Sequence, residues 1–221
     1  MSEVVVDRFS RSRLLFGEDF ARLQSAKILI CGCGGVGGAA IEALYRSGAV
    51  SLSVIDCDRF EITNQNRQLG SEHVDELKCE VFARKFKGVT PIVARIDQEF
   101  LSKFNLAQFD FVIDAIDDVS AKIALALHCS EAGAGFISSM GGAKRLDPAK
   151  IEIRSIWQTQ DDPLARKIRY ELRKRGFVGD FDVVCSSEPP RVKSMGSFMG
   201  VTASFGLFIA SYVVRRLIGD R

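Results

Sequence analysis

Residues 28–38 read ILICGCGGVGG: an aliphatic run passes directly into five glycines spread over positions 32 to 38. Such a run predicts a buried strand ending in a turn whose backbone, free of Cβ atoms, approaches a phosphate. The first N–H groups of the following helix then face the same anion. Gly32, Gly34 and Gly37 fit the spacing G-x-G-x-x-G, Gly35 lies among them, and Asp56 follows 19 residues after Gly37. In this pattern the acid accepts ribose hydroxyls, so a nucleotide is expected. The glycines alone leave open whether it is a redox dinucleotide or ATP.

Outward from that turn, aliphatic and amphipathic segments alternate. Lys27–Cys31 and Ser51–Ile55 predict strands, with a helix over 36–47 between them stopped by Gly48. Further strands are expected at 92–96, 109–113 and 136–139, and helices at 76–87 and Val119–Ala132. This alternation predicts an α/β fold, a doubly wound Rossmann-like sheet with helices on both faces. After about residue 148 the pattern changes to a C-terminal elaboration. KIEIRSI alternates as an exposed strand, and DPLARKIRYELRKRG forms a basic helix with Pro163 in its first turn. GFVGDFDVVCSSEPPRVKSMG reads as a loop, and a last apolar helix follows.

Bulk properties narrow the class. A chain of 221 residues with 47% hydrophobic content suits one domain, and a formal charge of +2 excludes binding to nucleic acid through overall charge. The cysteines at 31, 33, 57, 79, 129 and 185 follow an N-terminus without a signal-peptide pattern, so reduced thiols and a cytoplasmic location are expected. Residues 196–214 lack charge, but their glycines and hydroxyl residues suit a packed helix better than a membrane span.

The segment after the second strand favours ATP. DCDRFEITNQNRQ places Asp56, Asp58, Asn64, Arg67 and Gln68 beyond the strand, Lys78 opens a helix, and DAIDD ends a later strand. In a doubly wound sheet these strand ends share one crevice. Arg67 and Lys78 would there meet phosphates while Asp117 holds magnesium, an arrangement for nucleotidyl transfer, where departing pyrophosphate carries charge.

GCGGVGG, DCD, NQNRQ, Lys78 and DAIDD together resemble the ATP site of ThiF/MoeB-type adenylating enzymes, and RFSR near the N-terminus extends the likeness. The resemblance implies that Arg11 reaches the ATP of a neighbouring subunit in a homodimer. It also makes Asp56 the ribose ligand, Asn64, Arg67 and Lys78 phosphate contacts, and Asp117 the magnesium ligand. Arg67, Lys78, Asp117 and Arg11 would carry the chemistry, with Asp58 and Gln68 beside them. The chain departs from the family at Asp75, where relatives often have glycine.

Two acceptors for the AMP are open. The ThiF and MoeB proteins activate the C-terminal glycine of a ubiquitin-like sulfur carrier, and commonly hold zinc on paired C-x-x-C motifs. This chain lacks those motifs, so no zinc is expected. RFSRSRLLFG, TNQNRQ, DPAKIEIRSI, DDPLARKIRYELRKRG and CSSEPP more closely resemble the tRNA threonylcarbamoyladenosine dehydratases, the TcdA/CsdL group, over nearly the full length. That likeness implies one domain over 1–221, with a nucleotide core at about 27–145 and a substrate and dimer region at about 146–221. The reaction would be ATP-dependent cyclisation of a modified adenosine beside the anticodon, through a carboxyl-adenylate. A sulfur-relay partner protein is also compatible with this group.

Arg166, Lys167, Arg169, Arg173, Lys174 and Arg175 fall within ten residues and are candidates for RNA phosphates, with Tyr170 available to stack; a merely solvated helical face is the competing account. Cys185 falls in the segment read as a mobile loop, and a structural role is expected for it. His128 interrupts an apolar helix as a satisfied, packed residue.

Overall fold

A strand made only of aliphatic side chains is stable where both its faces are covered, and Ile28, Leu29, Ile30 and Cys31 are all fully buried. In the computed structural model, which describes residues 6–219, this segment is an interior strand of one sheet. Its strands are β1 (Lys27–Cys31), β2 (Ser51–Ile55), β3 (Thr90–Ile92), β4 (Phe111–Asp114), β5 (Gly135–Ser139), β6 (Ile151–Ser155) and β7 (Asp182–Ser186). They lie in the order β3-β2-β1-β4-β5-β7-β6, and β6 alone runs antiparallel to its neighbour.

The helices are α1 (Ser10–Phe16), α2 (Phe20–Ser25), α3 (Gly35–Ser47), α4 (Lys78–Lys85), α5 (Gln98–Lys103), α6 (Val119–Ala132), α7 (Pro163–Lys174) and α8 (Met199–Ile218). One core joins α3, α4 and α8 to a sheet face through Ile41, Leu44, Phe82, Phe205 and Ile209. On the other face α5 and α6 pack Leu101 and Leu125 against Leu29 and Val112, and α7 adds Ile168 and Leu172 beside Ile123.

Helix α8 meets the length and apolarity of a membrane span, yet it packs along α3. A Cβ at Gly206 would overlap the Val36 carbonyl oxygen and lie 2.8 Å from Ala39 Cβ. The small residues of this stretch therefore permit a close helix crossing.

Several boundaries move. The strand expected at 92–96 is Thr90–Ile92, and the helix expected from 76 begins at Lys78 because residues 71–77 are occupied by turns. The larger correction is at 182–186, read as loop: Val183, Val184 and Cys185 are fully buried, and β7 pairs with β5 and β6. A three-residue apolar run, Val183–Cys185, set between Asp and Ser is too short to reveal by period a strand that its neighbours create.

Candidate active site

From β1 the sheet grows one way through β2 and β3, and from the adjacent β4 it grows the other way, so the strand order reverses between β1 and β4. Ligand crevices of doubly wound sheets open at that point. Here a cleft of about 690 Å³ lies at these strand ends. Gly32, Gly34 and Gly35 form one wall. Gly32 has φ +97°, and a Cβ there would sit 2.7 Å from the Ala115 carbonyl oxygen. Gly37 does not line the cleft; it supports the turn from behind, where a side chain would overlap the Gly32 carbonyl oxygen. The first turn of α3 thus points free N–H groups at the cleft.

Asp56, at the end of β2, is tied to this turn. Its Oδ2 accepts from Cys33 N at 2.6 Å and its Oδ1 from Asp58 N at 2.8 Å. Burial pushes its carboxyl pKa up, although the two backbone N–H groups and Lys78 oppose that shift. Lys78 opens α4 with its side chain largely buried, and its Nζ lies 3.3 Å from Asp58 Oδ2 on the cleft wall. Arg67 also lines the cleft, its NH1 donating to Thr63 O and Asn66 Oδ1, both at 2.9 Å. Gln68 lines it too, and its buried Oε1 has no partner among the described residues. A buried side-chain acceptor without a partner on the cleft wall can take a hydrogen bond from a further donor.

Asn64 is placed differently. It is buried outside the cleft lining, with its Oδ1 accepting from Glu61 N at 3.1 Å, and it closes the short 3-10 helix Ile62–Asn64. Its side chain shapes the loop that presents Arg67. Asp75, where the resemblance expects glycine, has φ +65°, and its N–H donates to Phe60 O at 2.8 Å. The loop keeps the left-handed turn that glycine favours, and aspartate tolerates it.

Across the cleft, the exposed Asp117 forms no hydrogen bond or ion pair with a described residue. Its backbone is fixed on both sides. Asp114 Oδ1 accepts from Ile116 N at 3.1 Å, and Asp118 caps α6 through Ala121 N at 2.8 Å. Beneath, Lys122 Nζ is fully inside the protein, 3.0 Å from Asp114 Oδ2 and 2.7 Å from Ser139 O, while Ser138 Oγ donates to the same carboxylate at 2.5 Å. This buried knot joins β4, β5 and α6 under the cleft. The only signal for Lys122 in the sequence is a lysine within an apolar helix.

The far end of the cleft is formed by the segment after β5, the start of α7 and the segment before α8, through Lys144, Arg145, Asp162, Pro163, Leu164 and Met195. Asp162 caps α7 by accepting from Leu164 N and Ala165 N at 2.9 and 3.0 Å, and its Oδ2 pairs with Arg145 NH2 at 2.9 Å. Arg145 also donates to Ser186 O, so the basic helix is bolted to the cleft wall. On α7, Arg166, Lys167, Tyr170 and Lys174 are exposed, as is Arg175 just after its end. Arg173 lies over the Trp157 ring, 5.1 Å from its centroid. Arg169 departs from this face: it is half-buried and donates to Thr159 Oγ1, because its position on the helix turns toward the sheet.

Cys185 is buried on β7, and burial, with Glu152 and Asp162 nearby, pushes its thiol up to about 12. Cys31 and Cys33 are buried as well, and desolvation raises both thiols. His128 is half-buried with Nδ1 2.9 Å from Ala124 O. Arg11 lies exposed on α1, away from this chain's cleft, with no hydrogen bond or ion pair to a described residue.

Comparison with known proteins agrees with this geometry. The tRNA threonylcarbamoyladenosine dehydratase of Haemophilus influenzae is 34% identical, over 93% of this chain and 91% of that one. The E. coli tRNA N6-threonylcarbamoyladenosine dehydratase, TcdA, in complex with AMP superposes with a TM-score of 0.92 and 30% identity, over 96% of this chain and 95% of the other. The same protein in complex with ATP gives a TM-score of 0.90 at 30% identity, over 96% and 94%. The ThiF family profile matches residues 9–220, and with the glycine turn, Asp56, Arg67 and Lys78 gathered at one strand crevice the chain belongs to the ThiF family.

Proposed function

We propose that this protein is an ATP-dependent tRNA threonylcarbamoyladenosine dehydratase. The observation that carries the reading is one cleft that runs from a phosphate-binding turn to the capped end of an exposed basic helix. The first half suits ATP and the second brings an RNA-borne carboxylate to it. Near-complete coverage of a relative named for this activity favours tRNA over a carrier protein as acceptor.

ATP lies with its ribose on Asp56 and its phosphates along the glycine turn, Arg67 and Lys78. The threonyl carboxylate attacks the α-phosphorus, forming a carboxyl-adenylate and releasing pyrophosphate. Arg67 and Lys78 neutralise the charge that develops on the departing phosphates. An atom of the carbamoyl group in the same side chain then bonds to the activated carbonyl carbon. The carbon–oxygen bond to AMP breaks, and a proton passes to solvent. The attacking atom is already tethered, so no enzyme nucleophile is required. Magnesium suits Asp117, an oxygen ligand without a partner among the described residues that lines the same cleft as Arg67 and Lys78, and when bound it would supply charge neutralisation on the phosphates.

A homodimer accords with the exposure of Arg11 and with an apolar groove of about 480 Å³ lined by Leu15, Phe16, Leu207 and Val214 on α1 and α8. The cytoplasm is where such a tRNA substrate is found. ATP–pyrophosphate exchange tests the reading. Exchange that depends on threonylcarbamoylated tRNA supports it, whereas exchange driven equally by a carrier peptide ending in two glycines moves the assignment to a protein carboxylate.

A further inference from the structure

Asn66 belongs to the NQNRQ motif yet does not line the cleft, and beyond accepting from Arg67 NH1 it has no task in the site described above. Its Nδ2 donates to Ser197 O at 2.7 Å, across 131 residues of sequence. Ser197 lies one residue before the end of residues 187–198, a strap that leaves β7 and enters α8.

The other side of the strap is held by Lys144. The Lys144 N–H donates to Gly196 O at 2.7 Å, its carbonyl accepts from Arg191 N at 2.9 Å, and its Nζ donates to Lys193 O at 2.9 Å. Lys144 makes these bonds with φ +67°, a conformation that non-glycine residues adopt only when their surroundings impose it. The strap's first turn is fixed separately, by Glu188 Oε2 accepting from Leu146 N and Asp147 N at 2.9 and 2.8 Å. Pro190, Met195 and Ser197 line the cleft, while residues 189–196 are exposed on their outer side. The strap is thus a thin cover, latched to Lys144 near one wall and to Asn66 beside Arg67 near the other.

A carboxyl-adenylate has two fates. If the tethered carbamoyl atom bonds to the carbonyl carbon, AMP leaves and a ring forms. If a water oxygen bonds there instead, AMP also leaves, protons pass to solvent, and the starting carboxylate returns. Both routes consume ATP, so the value of the enzyme depends on keeping water away. We propose that Asn66 and Lys144 are positioning residues that latch the strap over the cleft and direct the adenylate to ring closure rather than hydrolysis. This inference rests on the dehydratase reading above.

The test measures AMP and cyclised nucleoside together, by chromatography and mass spectrometry under mild extraction. It uses the full-length protein with ATP, magnesium and threonylcarbamoylated tRNA. Asn66→Asp keeps an oxygen for Arg67 NH1 and removes the donor to Ser197 O. Lys144→Met removes the Nζ bond and keeps both backbone bonds. The wild type is expected to release one AMP per ring. Whatever the rate of adenylate formation, each variant's AMP-to-ring ratio is expected to rise about fivefold, the equilibrium shift matching the net worth of one hydrogen bond. A ratio unchanged from wild type in both variants overturns the latch, as does parallel loss of AMP and ring in a variant with normal thermal unfolding. Because the two side chains hold the strap at different points, Ser197 O and Lys193 O, failure of one variant to fold leaves the other as the deciding measurement. A wild-type protein that releases AMP without any ring instead overturns the dehydratase reading, and the latch with it.

Discussion

The backbone N–H of Cys33 donates to Asp56 Oδ2 at 2.6 Å, so the glycine turn after β1 and the acid at the end of β2 are one mechanical unit. Substituting Asp56→Ala removes this acceptor along with the one for Asp58 N. It is expected to lower stability by about 1–2 kcal/mol, the cost of a partly buried N–H left unpaired. ATP affinity should fall by more than tenfold, since the ribose contact and the turn fail together. Thermal unfolding and calorimetric ATP titration read the two effects separately.

Arg67→Ala acts on chemistry more than on binding. The guanidinium lines the cleft from a loop whose turn is closed by the reciprocal Glu61–Asn64 cap, which does not involve it, and it loses only its own bonds to Thr63 O and Asn66 Oδ1 on substitution. The expected result is a loss of about 10²–10³ in adenylate formation, the usual scale for removing one charge-stabilising donor, with ATP binding partly retained. Normal turnover in pyrophosphate exchange would remove Arg67 from the phosphate role.

The basic helix divides into exposed cations and an inward one. Lys167→Ala and Lys174→Ala should each weaken tRNA binding and reduce its salt slope by about 1, while ATP binding stays as it was. Arg169→Ala should instead cost about 1 kcal/mol of stability through the lost bond to Thr159. Filter binding over a salt series, beside thermal unfolding, checks both.

Cys185 should be inert. Its thiol is buried and raised to about 12, so it holds almost no thiolate near neutral pH. Cys185→Ala is expected to retain turnover, and iodoacetamide on the folded protein should label the exposed Cys57 and spare Cys185. Peptide mapping of the alkylated protein decides it.

Much of this was legible because local chemistry and tertiary role coincide. At β1, β2 and α6 the apolar runs have clear ends, in Gly32, Asp56 and the Asp118 cap, and the expected and observed spans agree closely. The glycine spacing likewise found the turn, because close approach of backbone to backbone excludes side chains there. What stayed hidden depends on partners distant in sequence. The strand character of Val183–Cys185 exists because β5 and β6 lie on either side. The role of Lys122 requires Asp114 and Ser139 beneath the cleft, and Asn66 meets Ser197 only when α8 returns to α3. α1 and α2 went unread because they are short, and Phe20 and Leu23 show their burial only against the folded core. Arg169 shares its neighbours' composition, and only the contact with Thr159 sets it apart from them.

The central claim is tested most directly by mass spectrometry of tRNA nucleosides after incubating the protein with ATP, magnesium and threonylcarbamoylated tRNA. The account predicts that the modified adenosine loses the mass of one water, with one AMP released for each nucleoside converted. A nucleoside of unchanged mass, under conditions where the protein binds ATP, would contradict it.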